Sequence, residues 1–312
     1  MTRAVEGLKS DALRAALQAA LERPEPRQFA QLEQLVCMHG GLPGIKPNLK
    51  LAAAIGAEVA EAPPVVLTLL TRWAAEDAAP DTPRAFLPVA AAHGLAQRIR
   101  AANGEHAREQ DTCWRALQEL AADERAVVRV GTLDALVQLA AREGGADLMI
   151  DKAETWLLEP DRELCFGATA SALDVLSEAR VLAVLRDHTR LLSLLTRVID
   201  DVADAPRSAQ RSDGRRRVLR SLGPSLARVI AVLRGAQSPV EWFIAECTRA
   251  THPEIRAALS EALQRLPDVP QPPPRAVIDA LRASLEGSQK PVRDHARVRP
   301  GTGRGKRSRP LR

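Results

Sequence analysis

Apolar and polar positions alternate with a helical period in every strong segment of this 312-residue chain. In segments 123–140, 161–176 and 252–266, apolar residues recur three and four positions apart, which is the spacing of one face of an α-helix. A last segment, 275–287, has the same spacing. The pattern therefore predicts an all-α protein, with helix in at least about two thirds of the residues and essentially no strand.

The helical pattern also recurs at a fixed distance. Val128 and Cys165 lie 37 residues apart, as do Val218 and Ile255. In the first two copies small and large residues keep the same order, with Gly131 matching Ala168, Ala135 matching Ala172, Leu136 matching Leu173 and Leu139 matching Leu176. A period of about 35 to 45 residues with small residues inside helices is typical of stacked helix pairs. We therefore expect an α-solenoid of about seven helix pairs, with Gly131 at a close helix contact.

The repeated helix resembles the second helix of HEAT repeats, in which an acidic residue, a Val-Arg pair and an Ala-x-x-Ala-Leu-x-x-Leu run recur. The full form consists of Asp123, Val128, Arg129, Ala135, Leu136 and Leu139. A downstream copy keeps Ile255, Arg256, Ala262, Leu263 and Leu266. The arginine is replaced in the other two copies, by Phe166 and Leu219. The resemblance covers about residues 84–266.

This resemblance implies a right-handed α-solenoid of HEAT-like helix pairs. Arg129 and Arg256 occupy the arginine position of the repeat, and Asp123 precedes Arg129 by six residues. We expect them to form a polar ladder between repeats rather than a ligand site. The predicted solenoid spans 1–288, with a Pro-rich spacer at 267–274 and a capping helix at about 275–287. Residues 289–312 are predicted to be a disordered basic tail, because they contain almost nothing apolar.

The charge of the chain is unevenly distributed. The net charge is +5, yet nine Lys and Arg and a single acidic residue, Asp294, fall in segment 290–312. Residues 1–289 therefore hold 35 basic and 38 acidic groups and are close to neutral. Basic tails bind phosphates through counterion release, or serve only solubility. The tail residues that we consider for phosphate binding are Arg304, Lys306, Arg307 and Arg309.

A second basic cluster is predicted inside the repeats. Cys165 and Val218 are 53 residues apart instead of 37, and we assign the added residues to a loop within 200–217, with Asp213 as the N-cap of the next helix. Insertions in solenoids fall on one face, often a binding face. A solvated loop is the alternative. The candidate phosphate ligands here are Arg207, Arg211, Arg215, Arg216, Arg217 and Arg220.

An enzymatic alternative also follows from resemblance. HEAT-like repeats build a family of alkylpurine DNA glycosylases, in which a concave basic groove holds DNA and tryptophans flank a catalytic aspartate. The pair Trp73 and Asp77 is similar to that arrangement, since residues four apart face the same side of a helix. The remaining tryptophans would be further aromatic walls or core residues. The near-neutral repeats count against this alternative.

Metal, cofactor and membrane functions have little support in the sequence. The four cysteines have no CxxC spacing and are expected to be reduced structural thiols, and Cys37 with His39 does not complete a metal site. The glycine-rich segment 39–48 lacks the order of a phosphate-binding loop and is predicted to be a turn between helices. We expect no cofactor. No apolar run reaches about 18 to 20 residues, so we expect no membrane contact and a cytoplasmic location.

The sequence therefore predicts a non-catalytic HEAT-repeat binding or scaffold protein. Its partner is a protein or a nucleic acid, and no small-molecule cofactor is expected. The alternative is a DNA glycosylase-like protein acting on alkylated bases.

Overall fold

A computed structural model describes residues 11–101, 107–233 and 238–287 of the chain. Within these ranges helix accounts for 76% of the residues, and there is no strand. The prediction of an all-α protein is confirmed. The four basic residues singled out in the tail, Arg304, Lys306, Arg307 and Arg309, lie outside the described residues.

The described residues form fifteen α-helices and two short 3-10 helices, Pro83–Ala85 and Leu266–Asp268. The α-helices are α1 (Asp11–Glu22), α2 (Pro26–His39), α3 (Leu49–Val59), α4 (Val65–Ala74), α5 (Phe86–Ala101), α6 (Ala107–Ala122), α7 (Ala126–Ala140), α8 (Gly145–Trp156), α9 (Arg162–Leu176), α10 (Ala179–Leu182), α11 (His188–Ala203), α12 (Asp213–Val232), α13 (Ser238–Arg249), α14 (Pro253–Arg265) and α15 (Arg275–Gly287).

Most helix contacts join elements that are near one another in the chain. One series runs through α3, α5, α7, α9, α12 and α14, each packed on the next. A second series runs through α8, α11, α13 and α15. Trp114 of α6 adds a contact with Trp156 of α8, where the two rings meet edge to face with centroids 6.3 Å apart. The apolar core therefore extends from helix to helix along the chain.

Gly131 lies at a close contact between α7 and α5. A Cβ atom added at Gly131 would come within 2.5 Å of Cγ1 of Val89. Such a distance is far shorter than ordinary van der Waals contact, so a side chain here would push the helices apart. The expectation of a close approach at Gly131 is confirmed.

Arginine side chains bind the carbonyl groups at several helix ends. The last carbonyls of a helix have no partner within the helix. Arg98 of α5 donates from Nη1 to the carbonyl oxygens of Val59 and Ala62, at 3.0 and 2.8 Å, where α3 ends. Arg98 is 6% exposed and also pairs with Glu109. A buried arginine thus joins α5, α3 and α6.

Arg129 and Arg256 also bind carbonyl groups, and for Arg129 this corrects the predicted ladder between repeats. Arg129 donates from Nη1 to the carbonyl oxygens of Asp123 and Glu124, at 2.7 and 2.6 Å. These carbonyls belong to the connection between α6 and α7, so the contact lies within one helix pair. The carboxylate of Asp123 pairs with Arg125 instead. Arg256 likewise binds a carbonyl just after α13 and a second one in α15.

The added residues before α12 are not one loop, contrary to the prediction for 200–217. Residues 177–187, which include α10, join α9 to α11, whereas 141–144 join α7 to α8. The connection 204–212 before α12 is only modestly longer than 157–161 before α9. Both ends of the expected loop are helical, because α11 continues to Ala203 and α12 begins at Asp213.

The N-cap of α12 is Ser212 and not Asp213. The Ser212 hydroxyl accepts a hydrogen bond from the backbone N–H of Arg215 at 3.1 Å. Asp213 is the first residue inside the helix, where its carboxylate is favourable to the helix dipole and pairs with Arg216. The arginines from Arg215 onward therefore lie in the first turns of α12, and the predicted N-cap is wrong by one residue.

The four cysteines, Cys37, Cys113, Cys165 and Cys247, are free and buried. Burial raises the pKa of Cys113 to about 12 and that of Cys165 and of Cys247 to about 11. Thiols with such pKa values stay protonated and unreactive at neutral pH, as expected for structural residues.

Segment 40–48 is a turn between α2 and α3, as predicted. Among the described helices none has the length and apolar character needed to cross a membrane.

Candidate basic groove

A groove with a volume of about 430 Å³ crosses α7, α9 and α12, and we call it the basic groove. Its polar lining consists of four arginines, one carboxylate and two serines, namely Arg129, Arg217, Arg220, Arg228, Asp174, Ser171 and Ser221. Its apolar lining includes Val130, Leu133 and Pro224. The α12 residues are spaced three and four apart, so they share one face of that helix. The site therefore combines three consecutive members of the first contact series.

Arg217 is anchored by neutral acceptors. Its Nη1 donates to the carbonyl oxygen of Ala122 at 3.1 Å, and its Nη2 donates to that of Ala121 at 2.9 Å, where α6 ends. Further acceptors are the carbonyl of Gly167 at 3.2 Å and the hydroxyl of Ser171 at 3.3 Å. These partners carry no full charge, and among the described residues no carboxylate forms an ion pair with Arg217, although the charges of Asp174 and Glu163 act on it from a greater distance.

The charges of three groove arginines act on one another. The pKa of Arg217 is lowered to about 10, first by burial and then by the positive charges of Arg129 and Arg220, while the charges of Asp174 and Glu163 oppose the decrease. The pKa of Arg129 is also lowered, by burial and to a smaller extent by the charge of Arg220, while the charge of Asp123 opposes the decrease. Arg220 is exposed and donates from Nε to the carbonyl oxygen of Arg216 at 3.3 Å. The guanidinium groups of α7 and α12 therefore repel one another across the groove.

Asp174 of α9 is the one carboxylate in the groove lining. The Ser221 hydroxyl donates to its Oδ2 at 3.2 Å. Burial raises the pKa of Asp174, and the hydrogen bond from Ser221 and the charges of Arg228 and Arg217 oppose that increase. Arg228 donates from Nη1 to Oε1 of Glu178 at 2.9 Å. After these pairings the groove keeps a net positive charge.

Arginines elsewhere in the described residues are commonly paired with carboxylates. Examples are the pairs of Arg98 with Glu109, Arg125 with Asp123, Arg190 with Asp151 and Glu154, and Arg249 with Asp200 and Glu246. By contrast, no carboxylate of the described ranges lies within 4.0 Å of Arg129, Arg217 or Arg220. The basic groove is therefore a local cluster of arginines without ion pairs, in a fold whose total charge is close to neutral.

The predicted cluster of six arginines is divided by the fold. Arg215 is 2% exposed and donates from Nε to the carbonyl oxygen of Val202 at 3.0 Å and from Nη2 to Glu254 at 2.7 Å. It joins α12 to α11 and α14 and is not available to a ligand. Arg207 and Arg211 are exposed in the connection before α12, and Arg216 is exposed beside Asp213. Of the six, the groove lining contains two, Arg217 and Arg220.

Trp73 and Asp77 do not share a helix face, because α4 ends at Ala74. Trp73 is 2% exposed, and its Nε1 donates to Oε1 of Glu33 at 2.9 Å. Asp77 is exposed in the connection after α4. Neither residue is part of the groove lining. This corrects the sequence argument that placed both on one side of a helix.

The other tryptophans are also outside the basic groove. Trp114 and Trp156 are 5% and 2% exposed and pack against each other in the core. Trp242 donates from Nε1 to the hydroxyl of Thr196 at 2.8 Å. The lining of the basic groove contains no aromatic residue. The groove is therefore suited to charged groups and hydroxyls rather than to stacked bases.

Sequence reasoning missed Arg228 and Asp174 as groove residues and assigned Arg129 a purely structural role. A signal for Arg228 was present, because 217, 220, 221, 224 and 228 follow the three and four spacing of one helix face. No such signal exists for Asp174, which joins the arginines only through the packing of α9 on α12. Among the described residues no three His, Cys, Asp or Glu side chains are placed to hold a metal ion.

No family model and no curated protein sequence matches this chain.

Proposed function

We propose that this protein is a non-catalytic α-solenoid of HEAT-like repeats that binds the sugar-phosphate backbone of a nucleic acid in the basic groove. The proposal combines two parts, an architecture and a ligand. The ordered contacts between α3, α5, α7, α9, α12 and α14 support the architecture, together with the 37-residue spacing. The right-handed stacking of the helix pairs follows from the resemblance to HEAT repeats.

The observation that carries the ligand is the convergence of Arg129, Arg217 and Arg220 without a paired carboxylate. Their partners are carbonyl and hydroxyl oxygens, and their charges repel one another. A phosphate oxygen would accept hydrogen bonds from these guanidinium groups and relieve the repulsion. Arginine contacts to successive phosphates fix a protein on a nucleic acid without reading its sequence. We therefore expect weak sequence preference and strong salt dependence.

Catalysis is not part of the proposal, because nothing in the groove favours it. An enzyme that acts on a flipped base reads that base by hydrogen bonds and by stacking on aromatic or apolar side chains. The aliphatic lining of Val130, Leu133 and Pro224 offers no aromatic wall. Asp77 lies outside the groove, and Trp73 is buried with its indole N–H bonded to Glu33. Release of alkylated bases from DNA by the full chain would contradict this part of the proposal.

The location that we propose is the cytoplasm. Four buried, free thiols fit a reducing compartment, in which disulfides do not form.

A protein partner is the competing possibility for the groove, since an acidic protein surface would also pair with arginines. The experiment below separates the two, because a groove reserved for an acidic protein gives no salt-dependent binding to nucleic acid.

The test is a fluorescence anisotropy titration of the full chain with a labelled 20-base-pair duplex over a series of salt concentrations. Arg220→Gln should lower the slope of log K against log salt by about 1, the effect of one lost phosphate contact. Arg216→Gln is the matched control, since Arg216 is an exposed arginine on the same helix outside the groove lining. A chain ending at Gly287 separates the contribution of the tail. Absence of binding at low salt, or equal slopes for the parent and Arg220→Gln, would contradict the proposal.

A further inference from the structure

We infer that the basic groove selects RNA over DNA, and that Asp174 is the residue that determines this specificity. The inference rests on the proposed function, and it concerns which nucleic acid the groove accepts. It starts from the one acidic side chain in a groove whose other charged residues are arginines.

The position of Asp174 sets its chemistry. It lies on α9, between Arg129 of α7 and the arginines of α12. Within the described residues one donor, the Ser221 hydroxyl, is within hydrogen-bond distance of the carboxylate, at 3.2 Å from Oδ2. An ionised carboxylate has about four lone-pair sites and no donor. Most of its capacity to accept hydrogen bonds is therefore available to a ligand in the groove.

A bare phosphate does not match this arrangement. A phosphodiester is negatively charged and has no hydrogen-bond donor, so it is attracted by Arg217 and Arg220 but repelled by Asp174. A ligand that suits all three residues carries an anion for the arginines and, beside it, a neutral donor for the carboxylate. The ribose-phosphate unit of RNA has both, because its 2′-hydroxyl lies next to the phosphodiester. Deoxyribose lacks this donor, and the carboxylate then meets only like charge.

The rest of the lining favours recognition through the sugar. No aromatic side chain is present to stack on a base, and Val130 and Pro224 offer aliphatic surface. The hydroxyls of Ser171 and Ser221 add neutral partners between the arginines. Proteins that bind double-stranded RNA without reading its sequence contact phosphates and 2′-hydroxyls in the same way. Burial of Asp174 makes its unpaired lone pairs costly, so an additional donor is favourable there.

The experiment compares three labelled duplexes of one sequence with the full chain, at one salt concentration and pH 7.5. They are RNA, DNA and 2′-fluoro RNA, the last of which lacks the hydroxyl donor. The parent should bind RNA about tenfold tighter than both others, since a hydrogen bond to a charged group is strong. Single-stranded RNA and DNA of the same sequence form a second pair and show whether the preference needs a duplex. The preference for ribose over deoxyribose should persist there, because it depends on the sugar.

The variant Asp174→Ala links the preference to this residue. It should bring the ratio of RNA to DNA affinity close to 1, by weakening RNA binding and by strengthening DNA binding as the repulsion is lost. Asp213→Ala, which removes a carboxylate outside the groove lining, should leave the ratio unchanged. If Asp174→Ala does not fold, Asp174→Asn, which removes the charge but keeps the size of the side chain, replaces it in the same comparison, and RNA against 2′-fluoro RNA on the parent still tests the need for the hydroxyl donor.

Three results would overturn the inference. Equal affinity of the parent for RNA, DNA and 2′-fluoro RNA, with a normal salt slope, rejects the specificity and leaves nucleic-acid binding intact. An unchanged RNA preference in folded Asp174→Ala likewise rejects the role of this residue. Absence of binding to every nucleic acid at low salt overturns the inference together with the proposed function, and this outcome is distinct from the other two.

Discussion

Arg217 and Arg129 close the same end of α6, although they come from helices that are far apart in the chain. Arg217 of α12 binds the carbonyls of Ala121 and Ala122, and Arg129 of α7 binds the next two carbonyls, at residues 123 and 124. The negative end of the helix dipole thus holds two positive charges in place. Because both guanidinium groups also line the basic groove, the same contacts give α6 its end and the groove its charge.

Replacing Arg217 should therefore affect stability as well as binding. In Arg217→Gln the carbonyl of Ala122 loses the Arg217 donor and that of Ala121 keeps only the Ser171 hydroxyl, and we expect the free energy of unfolding to fall by about 1 to 3 kcal/mol. Arg220→Gln is the matched control, because Arg220 is exposed, and its replacement should change stability by less than about 0.5 kcal/mol. Urea denaturation of the three proteins measures both values. Equal stability of Arg217→Gln and the parent would show that the hydrogen bonds from Arg217 to the end of α6 do not contribute to the free energy of unfolding.

This difference also decides which arginines can be used to test binding. A triple replacement of Arg215, Arg216 and Arg217 would remove a 2% exposed arginine that joins three helices, in addition to the α6 contacts. The protein would lose stability for reasons unrelated to a ligand. Arg220 and Arg216 are the pair that tests the groove without this effect.

Gly131 gives a second stability prediction. Even the Cβ of alanine would approach Val89 to 2.5 Å, so Gly131→Ala should cost about 1 to 3 kcal/mol of unfolding free energy, and Gly131→Leu at least as much. Gly287 is the control, since a Cβ there would meet nothing within 4 Å. Gly287→Ala should be neutral or slightly stabilising. Thermal melts give the melting temperatures of the variants. Equal melting temperatures for Gly131→Ala and Gly287→Ala would contradict the close contact at Gly131.

The repeat period and the pattern of apolar and small residues predicted those structural features that depend on local sequence. Helix content and the close contact at Gly131 both follow from which residues are apolar or small. The division of the arginine cluster follows from helix geometry, because successive residues on a helix lie about 100° apart. Arg215 therefore enters the core, Arg216 faces solvent and Arg217 lines the groove. The sequence predicts the start of this helix within one residue of the observed one, but it does not show which helices α12 packs against.

Other features depend on tertiary contacts that a single sequence does not contain. Trp73 and Asp77 would share a helix face only if one helix ran through both residues, but α4 stops at Ala74. Arg125, from the start of α7, binds the carbonyls of Glu76 and Ala78 at 2.7 and 3.0 Å in this connection. These bonds satisfy the backbone outside a helix. In the same way, Asp174 meets the arginines only because α9 packs between α7 and α12.

His93 gives a prediction on the pH dependence of stability. It is 1% exposed on α5, and its Nε2 lies 3.5 Å from Oδ2 of Asp134 without a hydrogen-bond geometry. Burial lowers the pKa of His93 to about 4, although the Asp134 charge opposes this. A histidine has a pKa of about 6.5 when the chain is unfolded, so below that pH the unfolded state takes up a proton that the folded state does not. The folded state therefore loses stability between pH 6.5 and about 4.

The predicted loss attributable to His93 is on the order of 3 kcal/mol over this range. Urea denaturation at pH 7.5 and at pH 4.5 should show a larger decrease for the parent than for His93→Leu, which has no group to protonate. His39→Leu is the control, because His39 is exposed, and its decrease should match that of the parent. If the parent and His93→Leu lost the same stability on acidification, the buried neutral histidine would not contribute.

The last prediction concerns the pH dependence of DNA binding in the basic groove. Burial raises the pKa of Asp174 above the ordinary value of about 4, so its carboxylate takes up a proton at a higher pH than an exposed aspartate does. Protonation removes the negative charge that repels phosphate, and DNA affinity should therefore rise on acidification, beginning at a higher pH than an exposed aspartate would give. In Asp174→Asn the charge is absent at every pH, so its affinity should exceed that of the parent at pH 7 and change less with pH.

Anisotropy titrations of both proteins at constant ionic strength measure this effect. Asp213→Asn is the matched control, because it removes a carboxylate from α12 outside the groove lining and should follow the parent. A parallel rise in the parent and in Asp174→Asn would assign the pH dependence to other groups. A fall in parent affinity on acidification would contradict the electrostatic argument itself, since losing a negative charge beside Arg217 and Arg228 can only increase the attraction for phosphate.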